Sequence, residues 1–203
     1  MKKRLFLLVE GEDDIRFFGR IIKPLLTPVF SSVELIPYAS IKRVKVSLFL
    51  KSVRKMGNEY LLFADIDKER NVRDKKQILY YWFNGIDGRD IIIVIHEIES
   101  WYYAGIPDDV AIKLGLPVLA TTNNLTKEDF NRLIPPRFDS RIDFMFEILK
   151  YFSLETAVRR NQSFRFFIER YHLAPPASRD PATPYGNLPP DPSGPYRTGD
   201  PSK

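Results

Sequence analysis

Residues 5–14 read Leu-Phe-Leu-Leu-Val-Glu-Gly-Glu-Asp-Asp, an unbroken apolar run set directly against a run of carboxylates. Five consecutive apolar residues, Leu5 to Val9, have the length and density of a strand buried on both faces of a parallel sheet. Gly11 lets the chain turn sharply behind Glu10. Ile15, Phe17, Phe18, Ile21, Ile22 and Leu25 then recur at helical spacing. The helix is predicted to start near Asp13, where acids suit the positive end of its dipole, and to end at Pro24 and Pro28. A buried strand feeding an acidic turn and then a helix is the opening of an α/β fold.

The same unit repeats outward from there. Val33–Ala39 is a second candidate strand, and Ile41–Met56 is a basic amphipathic helix stopped by Gly57. Glu59–Ala64 is a third strand running into Asp65-Ile66-Asp67. Val72–Phe83 is a helix closed by Gly85 and Gly88. Asp90–Ile95 is a fourth strand, followed at once by His96-Glu97-Ile98-Glu99-Ser100-Trp101. Strands alternating with helices predict an α/β, mostly parallel sheet with helices on both faces. Both acid groups, and the segment from His96, then fall at the C-terminal ends of strands, the edge where open α/β sheets bind ligands.

From Pro107 the pattern is helical: Asp108–Leu114, Lys127–Leu133, Ser140–Phe152, Leu154–Arg160 and Ser163–His172. The organisation expected is an α/β domain over 1–106, a C-terminal helical extension packed on it over 107–172, and a Pro-rich disordered tail over 173–203.

Strand ends on adjacent parallel strands lie about 5 Å apart, so Glu10 and the Asp65–Asp67 pair are expected to approach each other. Carboxylates that close repel unless a cation neutralises them. Hard oxygen donors suit Mg²⁺ or Mn²⁺. Taken singly, each motif has a plainer reading as a helix cap or turn former. Their joint occurrence, in order, favours the metal.

These stretches carry a resemblance. Leu8-Val9-Glu10-Gly11-Glu12-Asp13-Asp14 resembles the glutamate motif of Toprim domains, and Phe63-Ala64-Asp65-Ile66-Asp67 resembles their DxD motif. Toprim domains occur in topoisomerases, DnaG-type primases, ribosomal-RNA maturases and overcoming-lysogenization-defect (OLD) nucleases. The resemblance implies a Rossmann-like sheet. It also implies that Glu10, Asp65 and Asp67 hold the metal and act on phosphodiester bonds. Asp14 matches the further acid of nuclease members, with Asp13 beside it. The motifs cover roughly the first half of the chain. In the second half, Ile98-Glu99-Ser100-Trp101 and Arg160-Asn161-Gln162-Ser163-Phe164 are similar to a group of bacterial and archaeal Toprim-like proteins with no substrate to transfer. The large domains of topoisomerases and primases, and the ATPase part of OLD nucleases, have no counterpart here. The resemblance therefore favours a stand-alone nuclease, or a defence-system effector working with an ATPase partner.

Other residues extend or limit this reading. Glu97 or Glu99 is a candidate for a second metal ion in two-metal phosphodiester chemistry, with a helix cap or a salt bridge as the alternative for Glu99. His96 is a weaker candidate general acid. Trp101, Tyr102 and Tyr103 have the chemistry to stack on bases, but an aromatic run at a helix start belongs more often to the core. The net charge is +5. It gathers in two segments, one holding Lys42, Arg43, Lys45, Lys51, Arg54 and Lys55, the other Arg159, Arg160, Arg165 and Arg170. Lys42, Lys51, Arg54 and Lys68 are the candidate phosphate contacts, against the plainer reading of solvated faces. The absence of cysteine excludes disulfides, thiolate zinc sites and a cysteine nucleophile. Met1 to Asp14 lacks the h-region and cleavage site of a signal peptide, no stretch has spanning length, and a cytoplasmic location is expected. The function expected is a Mg²⁺- or Mn²⁺-dependent nuclease acting on DNA or RNA. The alternative is a non-catalytic Toprim-like module that binds nucleic acid or protein, and hydrolysis of small phosphoesters is more remote. Oligomeric state is open.

Overall fold

Along each inner strand, alternate side chains enter opposite cores, as the two-residue period of a strand requires. In β1 (Arg4–Val9), Leu5, Leu7 and Val9 face one core while Phe6 and Leu8 face the other. In β3 (Glu59–Asp65), Leu61 and Phe63 part in the same way from Tyr60, Leu62 and Ala64. In β4 (Ile91–Val94), Ile92 and Val94 part from Ile91 and Ile93. Both faces of the sheet are therefore covered, and this is why the strands read as continuous apolar runs. With β2 (Ser32–Pro37) at one edge, the four strands are parallel and ordered β2-β1-β3-β4. The computed structural model describes residues 2–173.

One face is covered by α3 (Arg43–Lys55) and α4 (Val72–Trp82), through Val46, Leu50, Val53 and Leu79. The other is covered by α1 (Glu12–Phe17) and by α5 (Ile98–Ala104). The outer helices follow: α6 (Asp108–Lys113), α7 (Lys127–Arg132), α8 (Arg141–Lys150), α9 (Leu154–Arg160) and α10 (Gln162–Arg170). Their buried residues share one continuous core with the sheet: Phe130, Phe144 and Phe167 belong to the same cluster as Leu7 and Phe63. The fold is thus α/β and Rossmann-like, with a helical C-terminal part.

Two expectations need adjustment. The first helix does not stop at Pro24. A π-helical turn over Phe18–Ile22 leads into α2 (Lys23–Leu26), which carries Pro24 in its first turn. Proline has no N–H to donate, and the wider turn sets it at a fresh helix start, where that N–H is not needed. At the other end, Leu173 is buried in the core rather than opening a tail. The rest of the expected tail lies outside the described residues.

Trp101, Tyr102 and Tyr103 belong to the core. Trp101 stacks on Phe167 at 5.8 Å between ring centroids, and its indole N–H donates to Ser163 Oγ at 2.8 Å. Ser163 in turn donates to Asn161 Oδ1 (2.8 Å), and Asn161 Nδ2 donates to Ser100 Oγ (3.3 Å) and Thr122 Oγ1 (3.1 Å). The Ser100-Trp101 and Asn161–Phe164 stretches are therefore a buried polar clasp between α5 and α10. Such networks fix a geometry when every member is satisfied.

Candidate functional site

The chain leaves β1 towards β2 on one side and returns in β3 on the other, so the strand order reverses between β1 and β3. Ligands of open α/β sheets bind at such a switch point. Glu10 directly follows β1, and Asp65 is the last residue of β3. Glu10 Oε1 accepts from the Asp65 backbone N–H at 3.1 Å and from the Tyr38 hydroxyl at 3.3 Å. Asp14, buried in the first turn of α1, folds back to accept from the Gly11 N–H at 3.1 Å. The Asp65 carboxylate has no such help: its Oδ1 is buried and has no hydrogen-bond partner.

The electrostatics follow from this crowding. Burial, with the charges of Glu10, Asp14, Glu99 and Glu97, pushes the Asp65 carboxyl up to about 9. Asp14 is pushed up to about 7 by burial, against the Gly11 N–H and with the charges of Glu10 and Glu99 adding. Burial also raises Glu10, opposed by the Asp65 N–H. Tyr38 is raised by burial and by Glu10, so it stays a proton donor. Among the described residues Glu10, Asp14 and Asp65 form no salt bridge, although the Lys75 charge acts on Glu10 in the lowering direction.

The second aspartate of the DxD motif is placed differently. Asp67 is exposed, with a left-handed backbone (φ 52°), and forms an ion pair with Lys75 of α4, which is itself buried. His96 has the same backbone sign (φ 62°). Each lies two residues beyond a strand of the switch-point edge. Left-handed non-glycine residues cost about 1–3 kcal/mol and gather at functional sites.

A second acid group lies beside the first and is fully paired. Arg141 of α8 bridges Asp13 and Glu99, and its Nε donates to Asn131 Oδ1 at 2.9 Å. Arg16 pairs with Asp13 at 2.6 Å. Against the effect of burial, Arg141 and Arg16 hold the Asp13 carboxyl below its usual value. Glu99, buried, is raised by that burial with Arg141 opposing. Its salt bridge is therefore the role the structure displays. Glu97 accepts from the Lys127 N–H at 2.8 Å and caps α7.

Among the basic candidates, Lys42 sits at the N-terminus of α3 and Lys68 in the turn after Asp67, both exposed at the acid edge. Lys51 and Arg54 lie further along α3 and are not brought there. Arg54 pairs with Asp90, ahead of β4. Arg160 is buried and tied to the Ile106 carbonyl and to Asp108. Arg159 and Arg165 are exposed, and Arg170 donates to the Arg89 carbonyl at 3.3 Å.

The donor set fits a hard divalent cation in kind: buried carboxylate oxygens, one of them orphaned, crowded at a switch point. As the side chains stand, no three His, Cys, Asp or Glu among the described residues are arranged to hold a metal ion, Glu10, Asp14 and Asp65 included. Sequence reasoning missed Arg141, Tyr38 and Lys75. Only Lys75 left a trace: it stands four residues before the buried Leu79, on the apolar stripe of α4.

No family model and no curated protein matches the chain. Two solved structures do. The C-terminal region of the Xanthomonas campestris pv. campestris OLD protein aligns at 14% identity and TM-score 0.38, over 85% of this chain and 98% of that one. The C-terminal region of the Burkholderia pseudomallei OLD protein aligns at 14% identity and TM-score 0.39, over 86% and 100%. Among the described residues no helix is long and apolar enough to cross a membrane.

Proposed function

We propose that this chain is a divalent-metal-dependent nuclease of Toprim type, hydrolysing phosphodiester bonds in DNA or RNA. The observation that carries the reading is the half-buried Asp65 carboxylate, whose enclosed Oδ1 has no hydrogen-bond partner and which feels the charges of Glu10 and Asp14 at the switch point. Leaving a buried polar group unsatisfied costs about 1–3 kcal/mol, more when it is charged. A fold retains such a cluster when something positive offsets it. Glu10, Asp14 and Asp65 would hold Mg²⁺ or Mn²⁺, with Asp67 at the margin. When bound, the ion supplies a polarised phosphoryl oxygen and a water of lowered pKa.

The chain's own groups prepare that chemistry. The Asp65 N–H and the Tyr38 hydroxyl fix the Glu10 carboxylate, and the Gly11 N–H fixes Asp14. Lys75 keeps Asp67 paired beside the cluster. Lys42 and Lys68 offer cations to the phosphate backbone at the same edge. A partner ATPase, implied by the resemblance to OLD nucleases, and a cytoplasmic setting belong to this proposal.

The test is cleavage of single- and double-stranded DNA and RNA in Mg²⁺ or Mn²⁺, with Asp65→Asn as the control. Loss of cleavage in the variant supports the reading. Undiminished cleavage places the activity elsewhere. A second reading, a non-catalytic binding module, is favoured by the engagement of Asp67 with Lys75. Calorimetry showing no divalent binding that depends on Asp65 decides for it.

A further inference from the structure

Where α3 begins and α4 ends, a cavity of about 190 Å³ opens beside the carboxylates. Its polar side is Glu10, Asp67 and Lys75, and its aromatic side is Tyr38, Phe83 and Trp82. Tyr38 and Phe83 meet edge to face at 5.8 Å and are buried. Trp82 is half-buried. The exposed Arg43 lays its guanidinium over the Trp82 ring, 3.6 Å from the ring centroid. The volume falls below the roughly 300–1,000 Å³ of pockets for drug-sized ligands, so it suits one planar ring system rather than a base pair. The guanidinium covers one face of the indole, and the two together form a flat surface, since nucleobases stack on arginine planes as well as on aromatic rings. The first turn of α3 holds no acid and is flanked by Lys42, Arg43 and Lys45. That arrangement runs against the helix dipole and sets two further cations next in sequence to Arg43, which lines the cavity.

We propose that this cavity receives the unpaired base of a single-stranded nucleic acid, stacked on the Arg43–Trp82 pair, with the attached phosphate towards Glu10 and Asp67. The inference deepens the nuclease reading by naming the substrate as single-stranded or locally unpaired, and rests on that reading only for what happens at the phosphate. A base within a duplex is stacked and paired and cannot enter, so the cavity discriminates by strandedness rather than by sequence.

The chain provides its own reporter. It has two tryptophans, and Trp101 is fully buried in the core. A change in tryptophan emission on binding therefore reports Trp82. The experiment titrates the full chain in Mg²⁺ with a short phosphorothioate oligothymidylate, which resists hydrolysis, and with a phosphorothioate duplex of equal length. Binding is followed in parallel by the anisotropy of labelled strands. The single strand is expected to quench the emission and the duplex to leave it unchanged. Trp82→Phe should abolish the change, and Trp82→Ala should weaken single-strand binding about tenfold. Arg43→Ala should weaken it in the same direction. Thermal midpoints near wild type verify that the variants fold. The proposal is overturned if anisotropy rises with no emission change, if Trp82→Ala binds like wild type, if the duplex quenches equally, or if no strand binds. Cleavage of natural strands without a Trp82 response overturns the cavity and leaves the nuclease. A Trp82 response without cleavage supports the cavity and sinks the nuclease.

Discussion

Two groups of acids stand side by side at the end of the sheet, made of the same residue types and sharing α1 as a common support. Asp13 and Glu99 are bridged by Arg141, and Asp13 is also paired to Arg16. Glu10, Asp14 and Asp65 have backbone N–H groups and one tyrosine between them, and an Asp65 oxygen with nothing at all. The neighbouring residues Asp13 and Asp14 fall on opposite sides of this division: one carboxyl is held below its usual value, the other is pushed up to about 7. Composition does not separate paired acids from unpaired ones. Compensation does: where a guanidinium is supplied the acids are paired and brace the fold, and where none is supplied burial and mutual repulsion push the carboxyls up.

The most severe way to break this contrast is Arg141→Met. Removing one partner of a largely buried pair costs about 3–5 kcal/mol, because the remaining charge is left uncompensated. Urea denaturation should show a loss of that order, and adding Glu99→Gln should restore part of it. A neutral Arg141→Met would mean that the paired group is ornamental and the contrast empty.

Asp65→Asn should act in the reverse sense on stability. Cleavage should fall at least about 100-fold, as expected when a charge-stabilising group at the reacting centre is lost. In EDTA near neutral pH the variant should be more stable than wild type by at least about 1–3 kcal/mol, because the amide is neutral in both states whereas Asp65 must take up a proton on folding or bury a charge. A variant that is both inactive and unstable would assign Asp65 a structural role.

Titration sharpens the comparison. Asp65 and Asp14 have folded-state pKa values above their unfolded ones, so their contribution is fully present at low pH and is lost as pH rises through about 7 and about 9. Asp13 is depressed, so its contribution is present above the ordinary aspartate value and is lost as pH falls through the lowered one. In EDTA the thermal midpoint of wild type should decline from about pH 5 to about pH 9, and the decline should be shallower in Asp65→Asn. Adding Mg²⁺ should flatten the wild-type curve, since carboxylates bind metal deprotonated. A flat curve in EDTA would show that the acids are not crowded.

The smallest effect is expected on the basic face. Arg54→Glu breaks an exposed pair with Asp90, worth about 0.2–1 kcal/mol. It should change nucleic-acid affinity less than Lys42→Glu, because Lys42 stands at the acid edge and Arg54 does not. Binding measured against salt concentration separates them: Lys42→Glu should lower the slope by about one. Equal losses would place the strand along the whole of α3.

Much of the fold was legible because its signals are local. The runs Leu5–Val9, Glu59–Ala64 and Asp90–Ile95 declare buried parallel strands within a few residues of chain, and the order of strands and helices makes the sheet edge follow. That Glu10 and Asp65 would meet was readable for the same reason, since both directly end apolar strands. The first helix's passage through Pro24 was not, because a π-turn leaves no compositional mark.

Charge compensation and cavity formation depend on contacts remote in sequence, and tertiary structure alone decided them. Arg141 reaches Asp13 across 128 positions and Glu99 across 42. Nothing near Glu99 signals that it is paired rather than available, and nothing near Asp67 signals that Lys75 turns inward to meet it. Trp82 and Arg43 lie on different helices, and only the packing of α3 and α4 on one face lays the guanidinium over the indole. The sequence by itself determined where the carboxylates are, because strand ends are set by local periodicity. Only the tertiary structure decided which of them are neutralised, because Coulomb interactions and burial are properties of distance in space.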